Sequence, residues 1–206
     1  MKKILFLTFI FSLSLNLVSC KTDKKNEKTK EVKLENKALF SLSSAKNTIV
    51  FTAYKTTEKI PVKGQFKKIN FTSGGNGNTI KEAINNTEFS IPVSSIFTKD
   101  SSRDFKIKKF FFGIMDNTEL LSGKLTIEND SIGYANIKMN GVTNKVPFKY
   151  NINNKVFTIS AVMDVTNWNG DKALTSLNEA CKDLHKGSDG VSKTWSDVLI
   201  NITSSF

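Results

Sequence analysis

The stretch Ile132-Gly133-Tyr134-Ala135-Asn136-Ile137-Lys138-Met139-Asn140-Gly141-Val142-Thr143-Asn144-Lys145-Val146-Pro147-Phe148-Lys149-Tyr150 decides the fold class of this chain. From Ile132 to Met139 and from Val146 to Ile152, apolar and polar side chains alternate. A period of two puts one set on each face of a strand. Asn140-Gly141 lies between the two runs, and Asn-Gly suits a tight hairpin turn because both residues accept positive φ. Two antiparallel strands are therefore expected here.

The same period recurs on either side. Thr48-Ile49-Val50-Phe51-Thr52-Ala53-Tyr54 sets Ile49, Phe51 and Ala53 on one face. Val62 to Phe66, Thr87 to Val93, Lys124 to Glu128, Val156 to Val165 and Val198 to Ile202 follow the rule. Pro92 removes a ladder donor, which favours an edge or bulge. Ser73 to Asn78 reads as a loop, and Glu128-Asn129-Asp130-Ser131 as a turn. Eight or so short alternating strands point to an antiparallel sandwich or a closed barrel. Two segments break the pattern. Ser101 to Phe112 begins with helical spacing. In Asp171 to Lys186, Leu174, Leu177, Cys181 and Leu184 fall at three- and four-residue intervals, with Asp171 as cap and Gly187 as stop.

The N-terminal fifth reads differently. Met1-Lys2-Lys3 precedes an apolar run from Ile4 to Val18, broken only by Thr8, Ser12, Ser14 and Asn16. That is the pattern of a secretory signal, and it is shorter than the roughly 20 residues of a spanning helix. Its end, Leu17-Val18-Ser19-Cys20, resembles the bacterial lipobox. The resemblance implies a signal over residues 1–19, diacylation of Cys20, and a membrane partner reached through N-terminal acyl chains. Two or three chains give stable anchoring where one does not. Residues 20–37 carry the lipidated cysteine and a tether with seven lysines against four acids, a composition unable to bury a core. A lipid-anchored protein of the bacterial cell envelope is expected, periplasmic or surface-exposed, with the outer membrane favoured. Residues 38–206 then form one domain.

The formal charge is +11. The two signal lysines and an excess of three in the tether account for five of these charges, leaving +6 on residues 38–206. The lysines there are scattered among acids, so nucleic acid is not an expected partner. Cys181 has no intramolecular partner once Cys20 is lipidated, which excludes a disulfide framework. His185, the single histidine, follows Cys181 by four residues, on adjacent turns of one helix face. Zinc would want further N or S ligands, and a cysteine nucleophile would want a third orienting group. The simpler reading, a packed thiol near an exposed histidine, is preferred. No phosphate-cradling Gly-rich motif occurs, and no carboxylates are paired recognisably. No metal, cofactor or catalytic residue is expected. Trp168 and Trp195 flank the second helix and are read as capping the core.

Several motifs together resemble the YceI-like lipid-binding proteins, over most of residues 45–165 and again in the last strand. Gly64-Gln65-Phe66-Lys67-Lys68-Ile69 looks like that family's Gly-x-Phe segment. Ser94-Ser95-Ile96, then Arg103-Asp104 and Ile107, then Phe110-Phe111-Phe112, is similar to its strand-to-helix passage. Met139-Asn140-Gly141-Val142-Thr143, with Val146 three later, is similar to its Leu-Asn-Gly-Val-Thr hairpin. The chain departs from the pattern at Met115 to Leu121 and in the long segment Asn167 to Lys193.

The resemblance implies an all-β domain: an eight-stranded antiparallel lipocalin-like barrel with two short helices. Its apolar lumen would hold a polyisoprenoid or similar lipid, without catalysis. Phe51, Ala53, Phe66, Phe89, Ile91, Phe110, Phe111, Ile137, Met139, Phe148, Ile159 and Met163 are the expected ligand-binding residues. The alternative is a structural or interaction lipoprotein of the cell envelope whose barrel is filled. The two differ in whether the inward side chains meet in the middle. The Leu174 to Leu184 stripe is expected to pack across a barrel end, with a lid as the sharper alternative.

Overall fold

The structure is a computed structural model and describes residues 38–206. The expected signal, Cys20 and its tether lie outside the described residues. Chain order begins with β1 (Phe40–Ser41), β2 (Lys46–Lys55), β3 (Ile60–Phe66), β4 (Asn70–Ser73) and β5 (Asn76–Gly77). Helix α1 (Ile80–Ile84), β6 (Glu88–Pro92), β7 (Ile96–Phe97) and α2 (Ser101–Phe110) follow. Strands β8 (Leu120–Ile127), β9 (Ile132–Met139), β10 (Val142–Asn153) and β11 (Val156–Asp164) lead to α3 (Asp171–Ala180) and β12 (Asp197–Ser205).

Ten of these strands form one antiparallel sheet in the order β4-β6-β8-β9-β10-β11-β12-β2-β3-β7. They amount to eight strands closed on themselves. β3 and β4 are one strand bent at residues 67–69, and β6 and β7 are one strand broken by a 3-10 turn at Val93–Ser95. The two bent strands pair along their length, Gln65 with Phe97 and Phe66 with Ile96 beyond the bends, Asn70 with Ser90 and Phe71 with Phe89 before them. The Lys67 amide donates to the Ser95 carbonyl at 2.9 Å, bridging both breaks. Closure leaves no long free edge. Pro92, which has no N–H to donate, is the last residue of β6 before the break.

Asn140 and Gly141 have φ of 51° and 70°, the left-handed pair that a two-residue hairpin of matching twist requires. Asn140 also ties the turn to its surroundings. Its Oδ1 accepts from the Asp116 amide at 2.7 Å and its Nδ2 donates to the Trp168 carbonyl at 2.7 Å.

Barrel width is set by an unforeseen device. Phe51 pairs across the ladder with Gly64, Phe89 with Gly123, and Phe148 with Gly133. In each pair a Cβ on the glycine would fall within 3 Å of the opposing ring. The missing side chain lets the ring lie flat on the neighbouring strand, so large aromatics cover the wall without filling the centre.

The two ends differ. At one, Leu42, Ile84 and Phe71 close the lumen beneath the β1–β5 pair and α1. At the other, α2 and α3 lie across the opening, with Ile107 and Leu177 facing the interior. Helix α1 is a third α-helix where two were expected. It starts just after the stretch read as a loop, with Thr79 accepting from the Glu82 amide at 3.2 Å as its cap. At five residues, α1 is too short to register as a periodic pattern. The expected helix over Asp171 to Lys186 is shorter than its apolar spacing suggested. α3 stops at Ala180, and a 3-10 turn, Lys182–His185, completes the segment.

Candidate functional site: the barrel lumen and its mouth

The inward faces of the strands and the helices across one end line three adjoining compartments. The lower chamber, about 120 Å³, is walled by aliphatic and aromatic side chains from strands all round the barrel. Phe89, Ile91, Ile137, Phe148 and Ile159 line it. Its two polar residues satisfy one another: Ser204 donates to Asn47 Oδ1 at 2.6 Å, and Asn47 Nδ2 donates to the Leu42 carbonyl at 2.8 Å. The upper chamber, about 130 Å³, lies under the helices and is lined by Phe51, Ala53 and Phe111.

Phe66, Leu121, Met139, Met163 and Ile200 belong to both chambers and form a waist between them. An apolar cavity of roughly 150 Å³ holds a ligand the size of benzene. Each chamber alone is therefore of that scale, and a longer chain requires the waist to give. Two of its five residues are methionines, whose unbranched side chains rearrange at low cost.

Eleven of the twelve residues expected at the ligand site thus line the chambers. Phe110 does not. It is the last residue of α2 and stacks edge-to-face on Phe105 with centroids 6.4 Å apart, and the Lys109 ammonium sits 5.3 Å from its centroid. Three consecutive phenylalanines at a helix end point in different directions, and here Phe111 and Phe112 turn inward. Leu121 and Ile200 escaped sequence reading as site residues. Leu121 lies in β8, which begins at Leu120 in the segment taken as a departure from the family pattern. Ile200 lies in β12 between Val198 and Ile202, so alternation alone could have found it.

The third compartment, about 180 Å³, is the mouth between α2 and α3. It shares Ala53, Ile107, Leu177 and Thr194 with the upper chamber and is markedly more polar. Lys55, Arg103, Lys106, Asp100, Cys181 and His185 line it. His185 is half-buried rather than exposed, and its Nδ1 lies 2.7 Å from Thr194 Oγ1. Burial, with the charges of Lys55, Lys106 and Arg103 adding to it, pulls its pKa down to about 4. Burial pushes the Cys181 thiol up, outweighing the same three cations. A neutral imidazole bonded to threonine beside a protonated thiol is not an activated nucleophile pair. Among the described residues, no three His, Cys, Asp or Glu side chains are grouped to hold a metal ion.

Trp168 is almost fully buried and donates its Nε1–H to the Ile137 carbonyl at 2.9 Å, capping the core. Trp195 instead lines the upper chamber and donates to the Thr56 carbonyl at 2.7 Å.

The fold is similar to that of a polyisoprenoid binding domain from Saccharophagus degradans implicated in plant cell wall breakdown. The TM-score is 0.56 at 9% identity, covering 80% of this chain and 93% of that one. It is likewise similar to Burkholderia cenocepacia BcnA, with a TM-score of 0.52 at 16% identity over 80% of this chain and 98% of the other. No curated protein matches by sequence. The model of the YceI-like domain matches residues 40–204, from β1 to the last but one residue of β12. This chain belongs to the YceI-like family.

Proposed function

We propose that the protein binds a long apolar lipid, a polyisoprenoid or similar amphiphile, in the barrel lumen, and that binding rather than catalysis is its role. The observation that carries this is the pair of apolar chambers joined at a methionine-bearing waist. Each methylene moved from water into such a lumen contributes about 0.8 kcal/mol, so an extended chain gains affinity without polar contacts. The Saccharophagus degradans domain, described as polyisoprenoid binding, supports the choice of ligand class.

The membrane completes the reading. Acyl chains on Cys20 would hold the domain at the bacterial envelope, with the outer membrane preferred. The barrel begins at its closed end, opposite the mouth. Seventeen residues separate Cys20 from Ala38.

The test is native mass spectrometry, with lipid extraction, on the mature chain carrying Cys20→Ser and purified from its own host. A co-purifying prenyl compound is expected. Absence of any ligand, together with no uptake of added prenyl lipids, would overturn the proposal.

A further inference from the structure

The mouth carries a chemistry that an apolar chain does not use. Three cations line it against one carboxylate, Asp100, which lies 3.5 Å from Arg103 across an exposed pair. Among the described residues neither Lys55 nor Lys106 forms an ion pair. Lys55 continues the inward row Ile49, Phe51, Ala53 on β2, so the strand sets it, half-buried, at the mouth. Its ammonium donates to the Leu184 carbonyl at 2.8 Å, which leaves two of its three protons for another acceptor. Arg103 and Lys106 are three apart on α2 and share a face. Next to Lys106, Ile107 lines both the mouth and the upper chamber. The apolar path and the cationic cluster therefore meet end to end.

We propose that this mouth is a head-group subsite, in which Lys55, Arg103 and Lys106 hold a phosphate-type anion at the end of the chain that occupies the lumen. The inference rests on the lumen reading and names the class of lipid: prenyl phosphates in preference to prenyl alcohols. Charge-assisted hydrogen bonds from a guanidinium and two ammoniums are the strong kind, and Lys55 and Lys106 are half-buried, where screening is weaker than at exposed Arg103. Arg103 must exchange part of its contact with Asp100 for the anion, a small loss because that pair is long and exposed. His185 supplies an independent reporter, since it is the single histidine and feels all three cations.

The experiment titrates the mature Cys20→Ser chain with geranylgeranyl phosphate, geranylgeraniol and inorganic phosphate. Tryptophan fluorescence follows binding, because Trp195 lines the upper chamber. NMR follows the histidine. At low ionic strength the prenyl phosphate is expected to bind at least about tenfold more tightly than the alcohol, and to lose part of that advantage in about 0.5 M salt. Arg103→Gln with Lys106→Met should shrink the difference several-fold, Lys55 retaining part of it, while far-UV circular dichroism stays that of the folded barrel. The bound phosphate should also raise the His185 titration midpoint. Equal affinity for alcohol and phosphate would overturn the subsite while leaving the lumen reading intact. Binding of neither would overturn both. Inorganic phosphate matching the prenyl phosphate in affinity would replace the head-group assignment with a free-anion site.

Discussion

The ring of Phe51 lies against Gly64 on the neighbouring strand, so closely that a Cβ on the glycine would sit 2.2 Å from the ring's Cζ. The two residues are direct cross-strand partners on the inward face. Gly64→Ala must therefore push the ring toward the upper chamber, which Phe51 lines. A loss of about 1–3 kcal/mol is expected, as for other overpacked cores. Urea denaturation of Gly64→Ala, Phe51→Leu and the double variant measures it. The double variant should be more stable than the sum of the single losses implies, because the smaller side chain frees the space. Strict additivity would reject the contact as the cause.

Asn140 combines a left-handed backbone with side-chain bonds to the Asp116 amide and the Trp168 carbonyl. Asn140→Ala removes both bonds and strains the turn, and should cost about 2–4 kcal/mol. Asn140→Asp keeps the acceptor for Asp116 and loses the donor to the Trp168 and Asn169 carbonyls, so its melting point should fall between the wild type and the alanine variant. An aspartate variant as unstable as alanine would show that the Trp168 side dominates.

His185 has its pKa lowered to about 4 in the folded state, against about 6.5 in an unfolded chain. Between those values the unfolded state binds a proton that the folded state does not. Stability is thus unaffected above pH 6.5, falls as pH drops through the window, and levels off below about 4. His185→Gln should flatten this part of the stability profile, measured by thermal melts from pH 7.5 to 4. An unchanged slope would mean that other groups produce it.

Phe110 and Phe111 are adjacent in sequence, yet only Phe111 lines the upper chamber. Phe111→Ala should alter prenyl-lipid affinity several-fold, and Phe110→Ala should leave it within about twofold, because its ring packs on Phe105 outside the lumen. Ile200→Trp, filling the waist, should block uptake of long chains while far-UV circular dichroism stays that of the folded barrel. Equal effects of Phe110→Ala and Phe111→Ala would place the ligand elsewhere.

Much of this was legible in the sequence, and the reason is local. Alternation with period two marks each of the eight strands, and within β2 it separates Ile49, Phe51 and Ala53 from the outward residues. Asn140-Gly141 announces its turn because few other residue pairs accept that backbone. Phe110 was misplaced because three successive apolar residues carry no period from which to choose a direction. Helix α1 was missed because five residues span little more than one turn.

The sequence by itself determined the long strands, their inward faces and the Asn140-Gly141 turn, since these depend on residues within a few positions of one another, but not the short strands β1, β4, β5 and β7. Only the tertiary structure decided how the barrel closes, because closure joins two bent strands whose pairing depends on breaks at residues 67–69 and 93–95. Tertiary structure also set Phe51 over Gly64, thirteen positions apart, through the register of β2 and β3. It gathered Lys55, Arg103, Lys106 and His185 at one mouth from β2, α2 and the turn after α3. Such meetings are fixed by long-range pairing and helix packing, which no short window of sequence contains.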